Sequence, residues 1–131
     1  MYSHLVLAQA EADTNEDGLL EAWEIMRMKL TADVVVLAAC DMGRGRIAPG
    51  EGVIGTMWAL FAAGARSMVV SQFAVESKSA TTMLVAFHRH LATGRESKAA
   101  DLQAAALELL HTPRYAHPYY WAGFVLVGDS D

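Results

Sequence analysis

Cysteine is nearly absent from this sequence: Cys40 stands alone among 131 residues. A lone thiol forms no internal disulfide and builds no multi-cysteine zinc site, so any special role it has is chemical. Long hydrophobic runs are missing as well. The longest apolar stretch, around residues 59–63, is broken by Gly64 and Arg66, well short of the roughly 20 residues that a membrane-spanning helix needs. The N-terminus reads Met-Tyr-Ser-His, with no basic segment leading into an apolar one and a small-residue cleavage site. No secretion signal is read there, and a cytoplasmic setting is expected. Positive charge is sparse: 10 Lys+Arg face 15 Asp+Glu, for a formal net charge of −5. The cations are scattered singly and form no basic stripe for phosphates. Neither nucleic acid nor a membrane is therefore an expected partner. No internal repeat and no low-complexity segment is present.

What is present is apolar mass: 53% of the residues are hydrophobic, enough to build one core, which excludes a disordered chain. Leu5-Val6-Leu7 reads as a short strand entering the polar stretch 11–18. Residues 19–29, with Leu20, Trp23, Ile25 and Met26 near a 3.6-residue period, predict a short helix. The continuous run from Val34 to Ala39 reads as a strand buried on both faces, with Cys40 at its carboxyl end. Residues 41–52 hold four glycines and a proline, a loop composition. Helices follow from Val53 to the Gly64 stop, through Met83 and Phe87 to Gly94, and through Leu102 and Leu109 to just before Pro113. A β-rich run over residues 66–73 and a last aromatic run over 119–127 read as strands. Alternation of this kind predicts an α/β fold with a mostly parallel sheet and helices on both faces. Ligands in such sheets sit at the carboxyl ends of the strands, where Cys40 falls.

Two motifs compete for this chain. Asp13-Thr-Asn15-Glu-Asp17-Gly18, with Glu24 six residues on, fits the calcium-loop pattern D-x-[DN]-x-[DN]-G-x5-E. Oxygen ligands from Asp13, Asn15, Asp17 and Glu24 suit a hard cation. The motif also needs a helix before Asp13 and usually a second loop, and neither is read here. An acidic, solvated loop capping the next helix is the plain alternative.

The second motif is spread along the chain. Residues 32–43 (Ala-Asp-Val-Val-Val-Leu-Ala-Ala-Cys40-Asp41-Met-Gly), then Gly50-Glu51-Gly52, then residues 63–71 (Ala-Gly-Ala-Arg-Ser-Met-Val-Val-Ser71), and finally His117-Pro-Tyr-Tyr-Trp-Ala-Gly-Phe124, together resemble the CHAT family, caspase-like domains often found after tetratricopeptide repeats. The resemblance runs from Ser3 to Gly128. It implies a three-layer α/β/α caspase-like fold, incomplete at the N-terminus, so that residues 1–131 are a single domain fragment of a bacterial, cytoplasmic protein carrying tetratricopeptide repeats. It also implies a cysteine endopeptidase acting on a peptide or protein substrate, without metal or cofactor, in which Cys40 matches the nucleophile. Arg44, Arg46 and backbone N–H groups near Cys40 suit a thiolate.

The base that the family uses is a His in a His-Gly segment lying upstream of the stretch matched here by Ser3-His4-Leu5. That segment is not in these 131 residues, so the chain by itself is expected to be inactive, and His4 reads as a strand-edge histidine. His88 and His90 read as boundary residues of a helix, and His117, held before Pro118, as a packing residue. The resemblance places Ser71 and Phe73 beside the pocket for the residue before the scissile bond, with Asp41, or else Glu51, receiving a basic side chain. Ala38, Met42 and Gln72-Phe73 depart from the family's common Ser, Thr and Leu-Trp. A non-catalytic module that binds a peptide or a partner domain at the same cleft is the alternative function. A domain lacking its first strands is also expected to expose an edge and to self-associate.

Overall fold

The structure, a computed structural model, describes residues 4–7, 17–38 and 53–131. Its first unit is a small antiparallel ladder in which β1 (His4–Val6) pairs with β2 (Leu19–Glu21). Residues 19–21 are therefore strand rather than the first helical turn predicted from periodicity. The cause is local. Gly18 turns the chain at φ 73°, and the Asp17 carboxylate accepts from the Leu19 N–H at 2.9 Å, which delivers Leu19 into the ladder. Helix α1 (Ala22–Arg27) starts only afterwards, where the Glu24 carboxylate reaches back to accept from the Glu21 N–H at 2.9 Å.

The main sheet has the order β3-β4-β5. β3 (Val34–Leu37) runs parallel to β4 (Ser67–Ser71), with Val34 beside Ser67 and Leu37 beside Val70. β5 (Phe124–Gly128) runs antiparallel, with Phe124 beside Ser71 and Gly128 beside Ser67. The fold is thus mixed α/β, but its sheet is not mostly parallel. A single crossover helix returns the chain for a parallel strand. Here two helices and two 3₁₀ turns separate β4 from β5, and the second turn is anchored by Tyr119 on Phe73, just past the carboxyl end of β4. β5 therefore starts at that end and runs back.

The strand buried on both faces is β4, whose five residues are all buried, while the valine run of β3 is only half-buried along its length. Val69 packs with Met83, Phe87, Leu102 and Leu109 of α3 (Ser77–Leu91) and α4 (Lys98–Leu110). Met68 and Val70 point the other way, onto Ile25 of α1 and Ala59 and Leu60 of α2 (Val53–Ala62). The period of two along a strand divides the core in this way. Ser67 is fully buried and loses no polar contact, because its hydroxyl donates to the Asp33 carbonyl at 2.6 Å.

The helix ends follow sequence rules. Glu76 accepts from the Ser79 N–H at the start of α3, and Ser97 from the Ala100 N–H at the start of α4. α2 closes on Gly64 at φ 111°, with Ala65 N–H bonded to Leu60 O and Gly64 N–H to Phe61 O, the two bonds of a Schellman motif.

Candidate functional site

Because β3 and β4 are parallel, their carboxyl ends lie side by side: Leu37 is beside Val70, and the described chain leaves β3 at the exposed Ala38. Cys40 and Asp41 follow in sequence and lie outside the described residues, as do Arg44, Arg46 and Glu51. Ser71 and Phe73, the other two, lie at and just past the carboxyl end of β4. Ser71 is buried at the end of β4, across from Phe124. Gln72 N–H donates to Gly123 O at 2.7 Å, carrying the ladder one residue further, and Phe73 then turns half-buried against the segment that precedes β5.

The aromatic run predicts strand from residue 119, but the first part of that segment is turn. Pro113 and Pro118 each sit at the start of a 3₁₀ turn, Pro113–Tyr115 and Pro118–Tyr120, where a fixed φ and a missing N–H are tolerated. His117, expected to pack, instead caps the second turn, its Nδ1 accepting from the Tyr119 N–H at 3.2 Å. The two turns line up aromatic rings. Phe73 stacks on Tyr119 with centroids 6.1 Å apart and planes at 22°. Tyr119 meets Tyr120 edge-on at 5.4 Å, and Tyr120 meets Tyr115 at 5.4 Å. The Arg114 guanidinium lies 5.5 Å from the Tyr115 ring centre. Trp121 is held by its indole N–H, which donates to Ala116 O at 3.2 Å.

Gly123 makes room for this row: a Cβ there would collide with the Val75 side chain and stand 3.3 Å from the Phe73 ring. Among the described residues, the carboxyl end of β4 is thus flanked by a row of ring faces. Sequence reasoning found Phe73 but missed Tyr115 and the stacking role of Tyr119 and Tyr120. The signal was the pair of Pro residues five apart, each with a tyrosine two residues on.

The remaining motif residues are occupied locally. Glu24 serves the start of α1, and the described segment upstream of the calcium-loop pattern is a strand, where a helix–loop–helix calcium site has a helix. Among the described residues no group of three or more His, Cys, Asp or Glu is placed to hold a metal ion, and no helix is long and apolar enough to cross a membrane. His88 Nδ1 lies 2.7 Å from the Leu84 carbonyl on its own helix. Away from the site, Glu108 of α4 receives both Arg89 and His90 of α3 at 2.6 Å. The Arg89 guanidinium first, then His90, hold the Glu108 carboxyl below the usual carboxylate range.

The CHAT domain family matches residues 1–129. Among curated proteins, human tetratricopeptide repeat protein 28 is 31% identical over 115 residues, covering 88% of this chain and 5% of its own length. The mouse protein of the same name is 29% identical over 112 residues, covering 86% of this chain and 4% of its own. The chain therefore spans only a small part of these relatives, and both are mammalian, so they lend nothing to a bacterial source. No solved structure matches. With nearly its whole length matched, the chain belongs to the CHAT domain family.

Proposed function

We propose that residues 1–131 are part of a single caspase-like domain, of the three-layer kind, that cleaves a peptide bond through Cys40. The observation that carries this reading is the parallel β3/β4 pair. It sets the strand leading to Cys40 beside the strand leading to Ser71 and Phe73, at the end of the sheet where α/β folds bind ligands. The Cys40 thiolate attacks the scissile carbonyl carbon, the carbonyl π pair moves onto oxygen, and the Cys40 N–H is one donor to that oxyanion. The thiol proton goes to a histidine in the His-Gly segment that the family carries upstream, and the Gly N–H after it is the second donor. The oxyanion then collapses, the C–N bond breaks with the same histidine giving its proton to the leaving amine, and water, deprotonated by that histidine, hydrolyses the Cys40 thioester to release the acid and restore the thiol. Without it, the 131 residues alone do not cleave. Phe73 is the apolar wall for the residue before the scissile bond, and Asp41 receives a basic side chain there. The relatives' printed name supports tetratricopeptide repeats as the accompanying part of the full-length protein.

The test is the pH dependence of Cys40 alkylation, followed by intact mass, on this chain and on one extended upstream through the His-Gly segment. The extended chain is expected to alkylate with an apparent pKa well below the free-thiol value of about 8.5, and this chain near or above it. Ordinary thiol behaviour in both overturns the peptidase reading.

A second reading has its own support: a binding module that keeps the fold without the chemistry. The row Phe73, Tyr119, Tyr120 and Tyr115 offers ring faces, with Tyr119 exposed. Under this reading the upstream extension leaves Cys40 reactivity unchanged, while Tyr119→Ala weakens peptide capture by about tenfold.

A further inference from the structure

The ladder β1/β2 and the helix α1 have an inner and an outer side. Leu5 and Leu20 of the ladder, with Ala22 and Ile25 of α1, pack on the core that holds Met68 and Val70. By the strand period of two, Val6 and its cross-strand partner Leu19 turn the other way, and both are exposed. β2 passes into α1 without a loop. With about 100° of turn per residue, Trp23, Met26 and Arg27 fall together on the sector of α1 away from Ile25. Trp23 and Met26 each keep more than half of their surface open, and Leu7 after β1 and Met28 after α1 are open as well. Tryptophan, methionine and arginine are residue types that protein interfaces concentrate. Trp23 is also held in place, because its indole N–H donates to the Glu21 carboxylate, so its ring loses little freedom on contact.

We propose that this outer side is where two copies of the chain join, α1 against α1, about a two-fold axis between Trp23 and Met26. A two-fold across the helix sets the two α1 segments antiparallel, so Trp23 of each copy lies on Met26 of the other, a sulfur–aromatic contact made twice. Charge favours that direction. Glu21 and Glu24 stand at the start of α1, and Arg27 and Lys29 at its end and just beyond. The two carboxylates accept from N–H groups of their own segment, and none of the four residues forms an ion pair among the described residues. Antiparallel contact brings the cations of one copy to the carboxylates of the other, whereas parallel helices set like against like. Area sets the strength. Val6, Leu7, Leu19, Trp23, Met26 and Met28 are between 37% and 77% exposed, which offers on the order of 600 Å² per copy, against about 800 Å² on each side of a standard interface. The contact is therefore weak and forms at high concentration, and its two-fold closes it as a dimer. It uses no residue of the proposed peptidase site and stands independently of that reading.

The test combines sedimentation equilibrium of the 131-residue chain with NMR of its methionine methyl groups, over a concentration series reaching roughly 1 mM. The mass is expected to climb from 14.2 kDa toward twice that value. The Met26 ε-methyl resonance should move upfield as it does, under the Trp23 ring of the second copy. Met26→Lys, at an exposed position, is expected to raise the dissociation constant about tenfold with far-UV circular dichroism unchanged, and Arg27→Glu to raise it as well. Trp58→Lys, at the exposed tryptophan of α2, is expected to leave it unchanged. A monomer at every concentration overturns the proposal. So does a dimer that Met26→Lys leaves intact, and so does one that Trp58→Lys weakens as much as Met26→Lys, which would put the contact on another face.

Discussion

Two glycines carry more of this molecule than their size suggests. At Gly64 the backbone is left-handed, and an added Cβ would lie 2.6 Å from the Leu30 carbonyl oxygen. Gly64→Ala is expected to cost more than about 1 kcal/mol, read as a shift in the urea midpoint, because conformation and space both oppose it. At Gly123 only space opposes a side chain. Gly123→Ala must push Val75 or Phe73 aside, for about 1–3 kcal/mol, and should alter the near-UV circular dichroism of the Phe73–Tyr119 stack. Glu108 differs, because its role depends on protonation. Its folded-state pKa is lowered, so its contribution is fully present above the ordinary carboxylate value and is lost as pH falls through the folded value. The Arg89 and Glu108 side chains are largely exposed, so solvent screening limits the effect to about 0.5 kcal/mol. Glu108→Gln should therefore lower thermal stability slightly at pH 7, and the difference should shrink as the solution is acidified below the ordinary carboxylate range.

Among the secondary-structure elements, β4 has the widest reach, since both core clusters and both other strands of the main sheet rest on it. Its Val69-Val70 core and the helix-forming stretches on either side of it were legible, since apolar spacing and Gly64 and Gly94 at stops are local signals. The fully buried Ser67 was not, because its burial depends on a carbonyl 34 residues away in sequence. Nor was the direction of β5, which rests on a ring contact between Phe73 and Tyr119 that no window of sequence contains. Of the candidate site, the sequence showed only part: Ser71 and Phe73 fall at and just past the carboxyl end of β4, while the tyrosine row was hidden in a run that looked like strand. Phe87 tests the packing beneath it. Fully buried in α3 against Val69, it should cost about 3–5 kcal/mol as Phe87→Ala in urea denaturation, more than Leu107→Ala on the exposed side of α4.

For the molecule as a whole, the question is whether the two sides of the sheet fold as one. Among the described residues, helices α1 and α2 share no core cluster with α3 and α4; what they share is the sheet, most deeply β4, with Met68 and Val70 in one cluster and Val69 in the other. A strand cannot keep one face ordered while its ladder partners and its other face dissolve, since the same φ/ψ values serve both. The two clusters should therefore unfold in one transition despite their separation. Ile25→Ala, which empties the α1/α2 side at a fully buried position, is expected to cost about 2–5 kcal/mol. Amide exchange then reads how that loss is distributed. Protection of the slowest α3 and α4 amides should fall by the same free energy as that of α2, because both report global unfolding. If only the α1 and α2 amides lose protection, β4 does not couple the two sides, and the α3/α4 side with β5 stands as a separate folding unit.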